Sequence, residues 1–383
     1  MAADPLPADP RPALPRSTIV LLALGGATVA VFGLAAMRGV IVPVFLAVIL
    51  TLCVHPLHRR LHQLGVSRGA ATLTSIVAVL VLVLSFVMIL VFALVRFSAL
   101  LPQYSSQLDQ VGTTVSGLLA TLGFSSDQTD AVKTGLTPED ITAFIGDLLG
   151  GITNAVGGLV IILTLLILMA VDGSRVPALL TYVRPHHPGL VSALIGFATG
   201  SRRYMIATTI LGLAQGAFNA LVLVLLQVPG ALLWGLLSFI CSFIPNVGYF
   251  LAIIPPLFFG YLSGGWQTVV IVVIVYGVIN GAIQSIIQPK YVGDAVLLSE
   301  TLTFVSVLFW AVVLGPLGAI LAVPLTLLVR SVLIDAEPST WWRRALTGDR
   351  TDFEDLLRDE DTERRALRAR RRASSSTPRE GHA

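Results

Sequence analysis

The sequence predicts an all-α polytopic membrane protein with about eight transmembrane helices, some kinked or discontinuous, plus an amphipathic helical region after the third span. Hydrophobic residues make up 55% of the chain and charged residues 12%, against about 25% charged in typical soluble proteins. The mean hydropathy of +0.85 over 383 residues indicates several spans rather than one anchor. Residues 204–289 include no Asp, Glu, Lys, Arg or His, whereas a helix with one face in water carries such residues.

The chain divides into three regions. Residues 1–16 hold five prolines and predict a disordered lead. Residues 17–334 form the predicted transmembrane domain, and residues 335–383 form a charged tail. A run of roughly 20 apolar residues crosses about 30 Å of hydrocarbon. Apolar runs predict spans near residues 17–37, 39–54, 70–95, 151–171, 205–227, 231–259, 266–287 and 301–329.

Residues 98–150 differ from the spans because apolar and polar residues alternate there with helical periodicity. The apolar positions follow a heptad-like spacing: Leu101, Tyr104, Leu108, Val111, Val115, Leu118 and Leu122. Two readings stay open, a helix that packs against other subunits or the membrane surface, and an ordinary amphipathic helix covering the chain's own spans. Thr137-Pro138-Glu139-Asp140 predicts the start of a further helix, with a capping Thr and Pro at the first position.

The distribution of Lys and Arg predicts the orientation. With the N-terminus inside, the cytoplasmic segments before the tail hold Arg11, Arg16, Arg59, Arg60, Arg68, Arg175, Arg184, Arg202, Arg203 and Arg330. The opposite side holds Arg38, Arg96, Lys133 and Lys290. Ten against four predicts that both termini are cytoplasmic. The expected partner of the apolar spans is the lipid bilayer. The composition argues against a nucleic-acid partner.

No catalytic or nucleotide-binding motif is found in the sequence. P-loop, GxSxG and HExxH patterns are absent, so the chain is not expected to be an enzyme, an ATP-driven pump or a cofactor-binding protein. His55, His58 and His62 share one helical face, but no Cys or carboxylate accompanies them. They predict a turn beside anionic headgroups rather than a metal site.

Uncharged polar residues within the apolar block are the candidates for a substrate or ion pathway. Asn280, Gln284 and Gln288 recur every four residues and form one stripe on the seventh span. Gln215 and Asn219 have the same spacing on the fifth span. Carboxamides can bind a neutral polar solute or coordinate an ion without the cost of a buried charge. The alternative is that they only join helices to one another, which is the preferred reading for Gln215 and Asn219.

Breaks in the apolar block predict hinges. Pro245, Asn246 and Gly248 lie in one break, and Asn246 is a further pathway candidate. The segment from Gly315 to Pro324 predicts a second break. Pro255 predicts a further kink within the sixth span.

Asp294 and Glu300 are the only carboxylates between Asp172 and Asp335. An ion-coupled mechanism would place at least one of them in a cavity. The alternative is that both lie in an exposed outer loop, because Ser299 predicts a helix cap beside Glu300.

Three segments, read in order, resemble the AI-2E family of bacterial membrane transport proteins. They are FIPNVGYFLAIIPP (243–256), QPKYVGDAV (288–296) and GPLGAILAVPL (315–325). The resemblance implies that eight positions in these segments shape the backbone: Pro245, Gly248, Pro255, Pro289, Gly293, Gly315, Gly318 and Pro324. The resemblance covers about residues 17–335 and implies an eight-span inner-membrane protein that exports small solutes, with sodium/proton antiport in some members. Many relatives carry a Leu-His-Pro step where this chain has Leu297-Leu298-Ser299-Glu300, so no role of that histidine carries over.

The sequence therefore predicts a secondary transporter that exports a small polar solute by alternating access. A sodium/proton-type antiporter is the first alternative, and it requires Asp294 or Glu300. A membrane scaffold that transports nothing is the second alternative. A homo-oligomer is a further expectation from the amphipathic outer region.

Overall fold

The computed structural model describes residues 15–123, 125, 137–173, 175–292 and 298–336. Within these residues all regular structure is helical. The α-helices are α1 (Arg16–Ala36), α2 (Arg38–Gln63), α3 (Arg68–Ser98), α4 (Ser105–Thr121), α5 (Pro138–Asp172), α6 (Val176–Val183), α7 (Pro188–Leu225), α8 (Ala231–Cys241), α9 (Gly248–Gly281), α10 (Gln288–Val292), α11 (Glu300–Leu314), α12 (Pro316–Ile320) and α13 (Ala322–Arg330). A 3₁₀ turn covers Leu101–Tyr104, and π-helices cover Ala282–Ile287 and Ser331–Asp335.

Among the described residues, five helices are long and apolar enough to cross a membrane. They contain Ser17–Ala36, Arg38–Leu57, Gly69–Ser98, Pro188–Leu225 and Gly248–Ile287, of which the last is folded at Gly265, and three shorter apolar helices cover Gly158–Met169, Ala231–Cys241 and Glu300–Leu314. The predicted polytopic all-α fold is thereby confirmed. The predicted first and second spans are joined through the single residue Met37, and α2 continues without a break through Pro43 and Pro56.

Helix α5 begins where the sequence predicts. The Thr137 hydroxyl accepts a hydrogen bond from the Asp140 amide at 3.3 Å, with Pro138 at the first helical position. Of the amphipathic stripe, Leu101 and Leu108 are fully buried, and Leu101 packs with Phe97 and other apolar residues of the chain itself. Leu122 at the other end is exposed. The first half of the stripe therefore covers the chain's own helices, as the simpler reading predicts.

Helix α9 reverses direction at Gly265, whose φ of 63° and ψ of −157° are not helical. We call the two halves α9a (248–264) and α9b (266–281). A Cβ added at Gly277 would lie 3.7 Å from the Tyr249 hydroxyl, although 28 residues of straight helix would extend about 42 Å. The halves are therefore antiparallel. Gly265 lies between the residues predicted for the sixth and seventh spans.

Helices α8 and α9a form a first hairpin that folds back on itself. Its tip is 242–247, and at its open end the Trp234 and Phe259 rings stack at 5.4 Å. With 11 residues α8 is about 16 Å long, which is half of the roughly 30 Å that a crossing needs. The predicted sixth span is therefore a hairpin that enters and leaves at the same end.

Helices α11, α12 and α13 form a second hairpin that turns at Gly315, where φ is 79°. Trp310 Nε1 donates a hydrogen bond to Thr326 Oγ1 at 3.0 Å across it, whereas 16 residues of straight helix would extend about 24 Å. The predicted eighth span is thus also folded in two. The predicted helix cap is present, because the Ser299 hydroxyl accepts from the Leu302 amide at 3.2 Å.

The first hairpin changes the side assigned to Lys290. Arg203 Nε on α7 donates to the carbonyl of Tyr291 at 2.7 Å, so Lys290 lies at the same end of the molecule as Arg203. The prediction that these two residues face opposite sides was wrong because it counted the hairpin as a full crossing. The correction changes the Lys and Arg count from ten against four to eleven against three, which makes the charge bias stronger.

Candidate functional site

Helix α7 packs closely against α8 because glycines line the contact. A Cβ added at Gly216 would lie 2.6 Å from the Gly235 carbonyl oxygen, and one at Gly235 would lie 2.5 Å from Ala220 Cβ. Gly212, Gly216 and Ala220 follow a small-xxx-small spacing, which lets membrane helices approach. This motif was not among the predicted features, although its spacing is visible in the sequence.

The close contact brings polar side chains of three elements together between the helices. We call this set the polar seam: Thr208, Gln215 and Asn219 on α7, Ser238 and Ser242 on or just after α8, and Tyr276, Asn280, Gln284 and Gln288 on α9b and the segment that follows it. Gln215 Nε2 donates to Asn280 Oδ1 at 3.4 Å. Asn219 Nδ2 donates to Ser238 Oγ at 3.2 Å. The two carboxamide stripes that the sequence placed on separate spans therefore meet.

A small cavity lies at one end of the seam. Its volume is about 10 Å³, which is room for about one water molecule. The lining consists of Thr208, Leu211, Gly212, Gln215, Ser242, Ile283, Gln284 and Gln288. None of these side chains is ionisable, so the cavity is polar and uncharged.

Two backbone irregularities border this cavity. Ser242 is the first residue after α8, in the tip of the first hairpin. Gln284 lies in the π-helix Ala282–Ile287, which begins directly after α9. π-Helical turns occur often at functional sites, and broken helices in transporters free backbone groups near the substrate.

Several seam groups are buried without a good hydrogen bond among the described residues. They are Thr208 Oγ1, Asn219 Oδ1 and the Tyr276 hydroxyl. The Tyr276 hydroxyl lies beside Ser238, and Thr208 lies beside the Tyr204 hydroxyl, but neither contact has hydrogen-bond geometry. An unsatisfied buried polar group costs about 1–3 kcal/mol, so the seam has hydrogen-bonding capacity to offer to water or a polar solute.

The other end of the seam is closed by apolar side chains. Phe97 packs edge-on against Trp234 and Phe259, with ring centroids 5.0 and 4.9 Å apart. Leu223 and Val272 are fully buried in the same cluster. The seam therefore ends blindly at this cluster, while Gln284 and Gln288 at its cavity end are only half-buried.

The remaining predicted site residues lie elsewhere or outside the described part of the chain. Asn246 is exposed at the hairpin tip, in the left-handed region with φ 63°. Glu300 is exposed in the first turn of α11, and it does not line the cavity. Gly293 and Asp294 lie outside the described residues. Among the described residues, no group of three or more His, Cys, Asp or Glu could hold a metal ion.

The predicted backbone-shaping residues fall at or near the two hairpin tips and on the helices beside them. Gly248 packs against the Cys241 carbonyl, and Gly318 against the Trp310 carbonyl, with no space for a Cβ at either position. Pro245 lies in the first tip, and Pro324 is fully buried in α13. Pro255 lies within α9a, where the helix continues unbroken, and Pro289 lies in α10.

A polytopic helical chain with two folded-back hairpins and an uncharged polar cavity beside a broken helix has the architecture of a membrane transporter. The profile of the AI-2E family transporter matches residues 19–336. The chain therefore belongs to the AI-2E family of transporters.

Relatives from two bacteria cover nearly the same length. The AI-2 transport protein TqsA of Escherichia coli K12 is 27% identical over 317 residues, which are 82% of this chain and 91% of the relative. The putative transport protein YhhT of the same organism is 26% identical over 311 residues, 80% of this chain and 88% of the relative. A putative transport protein of Haemophilus influenzae is 27% identical over 340 residues, 87% of this chain and 97% of the relative.

Proposed function

We propose that this protein is a secondary transporter of the bacterial inner membrane that exports a small, neutral, polar solute along the polar seam. The observation that carries the proposal is the cavity lined by Gln215, Gln284 and Gln288 at the tip of a folded-back hairpin. Carboxamides donate and accept hydrogen bonds, so they can replace the water around hydroxyl and carbonyl groups. A charged solute would bind weakly, because residues 204–289 include no side chain of opposite charge.

Transport through the seam requires the first hairpin to move relative to α7. The cavity holds about one water molecule, so a solute enters only when the tip at Ser242 and the α7 surface at Thr208 separate. Pro245 to Gly248 are proposed as the hinge of this movement, and the segment Gly315–Pro324 as the corresponding hinge of the second hairpin. Phe243, Ile244 and Val247 of the first tip pack against the apolar cluster that contains Leu314 and Leu321, which would couple the two hinges.

The outward direction and the cytoplasmic location of both termini are part of the proposal. The stronger excess of Lys and Arg at the end of Arg203 and Lys290 supports placing that end in the cytoplasm. The half-buried Gln284 and Gln288 then lie towards the cytoplasmic end, and the apolar cluster around Phe97 closes the outer end. This arrangement suits loading from the cytoplasm, as export requires.

The test is solute flux in proteoliposomes with two matched Gln→Leu variants in one continuous helical segment. Gln284 lines the cavity, whereas Gln267 is exposed near the start of α9b. A membrane-buried hydrogen bond contributes about 0.6 kcal/mol on average and up to about 1.7 kcal/mol, which corresponds to roughly three- to eighteenfold. We expect Gln284→Leu to lower flux about tenfold and Gln267→Leu to leave it unchanged. AI-2 is the first probe because one relative is called an AI-2 transport protein, and a panel of small neutral polyols follows.

The alternatives give different results in the same vesicles. A change of internal pH on adding sodium alone, abolished by Asp294→Asn or Glu300→Gln, would replace the exporter with a sodium/proton antiporter. Equal flux for the parent protein and Gln284→Leu would show that the seam is not the pathway. No flux of any solute from folded protein would favour a membrane scaffold.

A further inference from the structure

Helix α6 (Val176–Val183) packs only lightly on the described part of the chain: Leu180 and Val183 are half-buried, and its main neighbour is α7. None of its eight residues is buried, and no side chain caps its N-terminus. Isolated helices shorter than about 12 residues are marginal in water. A two-turn helix with so little buried surface therefore gains stability from a further contact, which the described residues do not provide.

The exposed residues of α6 form an amphipathic surface. Val176 and Leu179 are 46% and 60% exposed and share one face. Tyr182 is 78% exposed at the edge of that face, and its ring lies 6.5 Å from that of His186. Thr181 is exposed roughly opposite Leu179, since two residues correspond to about 200° of rotation.

Positive charge flanks the helix at both ends. Arg175 precedes it and Arg184 follows it, and both are exposed. Asp172 lies 3.9 Å from Arg175, but both side chains are at least 70% exposed, so this pair is weak. From residue 173 to residue 293 the chain has no acidic residue. The surface of α6 is therefore cationic as well as apolar.

Helix α6 also lies close to the point where α5 leaves the apolar layer. The apolar part of α5 ends at Met169, and the helix ends at Asp172. Thr51 Oγ1 of α2 contacts Met169 Sδ at 3.8 Å, so this end of α5 lies beside the half of α2 that leads to Arg59 and Arg60. Apolar residues, a tyrosine and flanking arginines at this depth are the features of a helix lying in the membrane interface.

We propose that α6 is an interfacial anchor that binds the anionic phospholipid surface of the leaflet at the basic end of the molecule. Val176 and Leu179 insert about 5–10 Å, at the boundary of headgroups and acyl chains. Tyr182 lies at headgroup level, and Arg175 and Arg184 bind lipid phosphates from the two ends of the helix. This proposal does not depend on which solute is carried.

The test uses nitroxide labels on the full-length protein in vesicles. The parent is Cys53→Ala/Cys241→Ala, and the labels are attached at Leu179→Cys or Thr181→Cys. In vesicles containing phosphatidylglycerol, we expect oxygen to relax the label at 179 more than a water-soluble nickel complex does, and the reverse at 181. Each arginine near an anionic surface strengthens attachment about fivefold, so Arg175→Gln/Arg184→Gln weakens it about 25-fold. In that variant we expect the label at 179 to become accessible to nickel.

Three results would overturn the anchor. Equal nickel access at both labelled positions would show that α6 lies in water. Oxygen access at 179 that is the same in phosphatidylcholine alone and unchanged by the arginine variant would remove the role of anionic lipid. Spin–spin broadening that disappears on dilution with unlabelled protein would show that a second copy, not lipid, covers the helix.

Discussion

The two hairpins have the same backbone design but present different chemistry to the rest of the protein. Each turns at a tip near a glycine that has no space for a Cβ, Gly248 in the first and Gly318 in the second. The first presents Ser238 and Ser242 to the carboxamides of α7 and α9b. The second presents Val307, Trp310 and other apolar residues to one large cluster with α2 and α7. The proposed solute path therefore lies along the first hairpin, whereas the second hairpin packs into the apolar core.

The largest effect is expected where the two hairpins are alike. Gly248→Ala places a methyl group on the Cys241 carbonyl, and Gly318→Ala places one on the Trp310 carbonyl. Because both obstacles are backbone atoms, relief requires a main-chain shift that costs about 3 kcal/mol. We expect both variants to lose most of their folded, monodisperse fraction at a temperature that the parent tolerates, measured by size exclusion after heating.

Gly281→Ala is the matched control, because a Cβ there meets nothing within 4 Å. It should keep the melting temperature of the parent. If Gly248→Ala behaved like this control while Gly318→Ala unfolded, the two hairpin tips would not have the same close backbone packing.

A feature of either hairpin could be predicted from the sequence only where its residues are close together in the chain. The carboxamide stripe Asn280–Gln284–Gln288 was visible because a four-residue spacing defines one helical face. The hydrogen bond between Asn280 and Gln215 could not be predicted, because these residues lie 65 positions apart in the chain. Thr208 and Ser242 were missed for a second reason. A single hydroxyl in an apolar run has no periodic spacing that would identify it.

The error over Lys290 has a different physical origin. Hydropathy measures how apolar a segment is, not whether it continues straight, so residues 231–259 read as a single crossing. Pro245, Asn246 and Gly248 predicted a break in this segment, but the reversal depends on tertiary packing of Gly248 against Cys241. Charge counting was robust to this error, because moving one lysine strengthened the same bias.

An intermediate effect is expected at the contact that only the first hairpin makes. Gly212→Ala would overlap the Ser242 hydroxyl, which is a side-chain group that can move or be removed. We expect Gly212→Ala to destabilise by about 1–2 kcal/mol and Gly212→Ala/Ser242→Gly to recover at least half of that loss. The measurement is the denaturant midpoint in detergent for the four members of the double-mutant cycle. Additive losses in this cycle would mean that α7 and the tip do not pack as described.

The smallest effects on stability are expected from removing single interhelical hydrogen bonds. One such bond in each hairpin region allows the two regions to be compared directly. Trp310 Nε1 donates to Thr326 Oγ1 at 3.0 Å within the second hairpin, while Gln215 Nε2 donates to Asn280 Oδ1 at 3.4 Å beside the cavity. Hydrogen bonds of this kind average about 0.6 kcal/mol in membrane proteins. We expect Trp310→Phe to lower stability by roughly 0.6–1.7 kcal/mol with flux per folded protein unchanged.

Gln215→Leu should show the opposite pattern. Its hydrogen bond is long and near the geometric limit, so stability should change by less than about 0.5 kcal/mol. Flux should fall severalfold, because a leucine cannot offer the donor and acceptor that the cavity presents to a solute. Measuring melting temperature and flux on the same preparations distinguishes the two patterns. If the second hairpin only supports the fold, Trp310→Phe can lower flux only by lowering the folded fraction. An equal loss of flux in Trp310→Phe and Gln215→Leu at the same folded fraction would therefore place the second hairpin on the solute path.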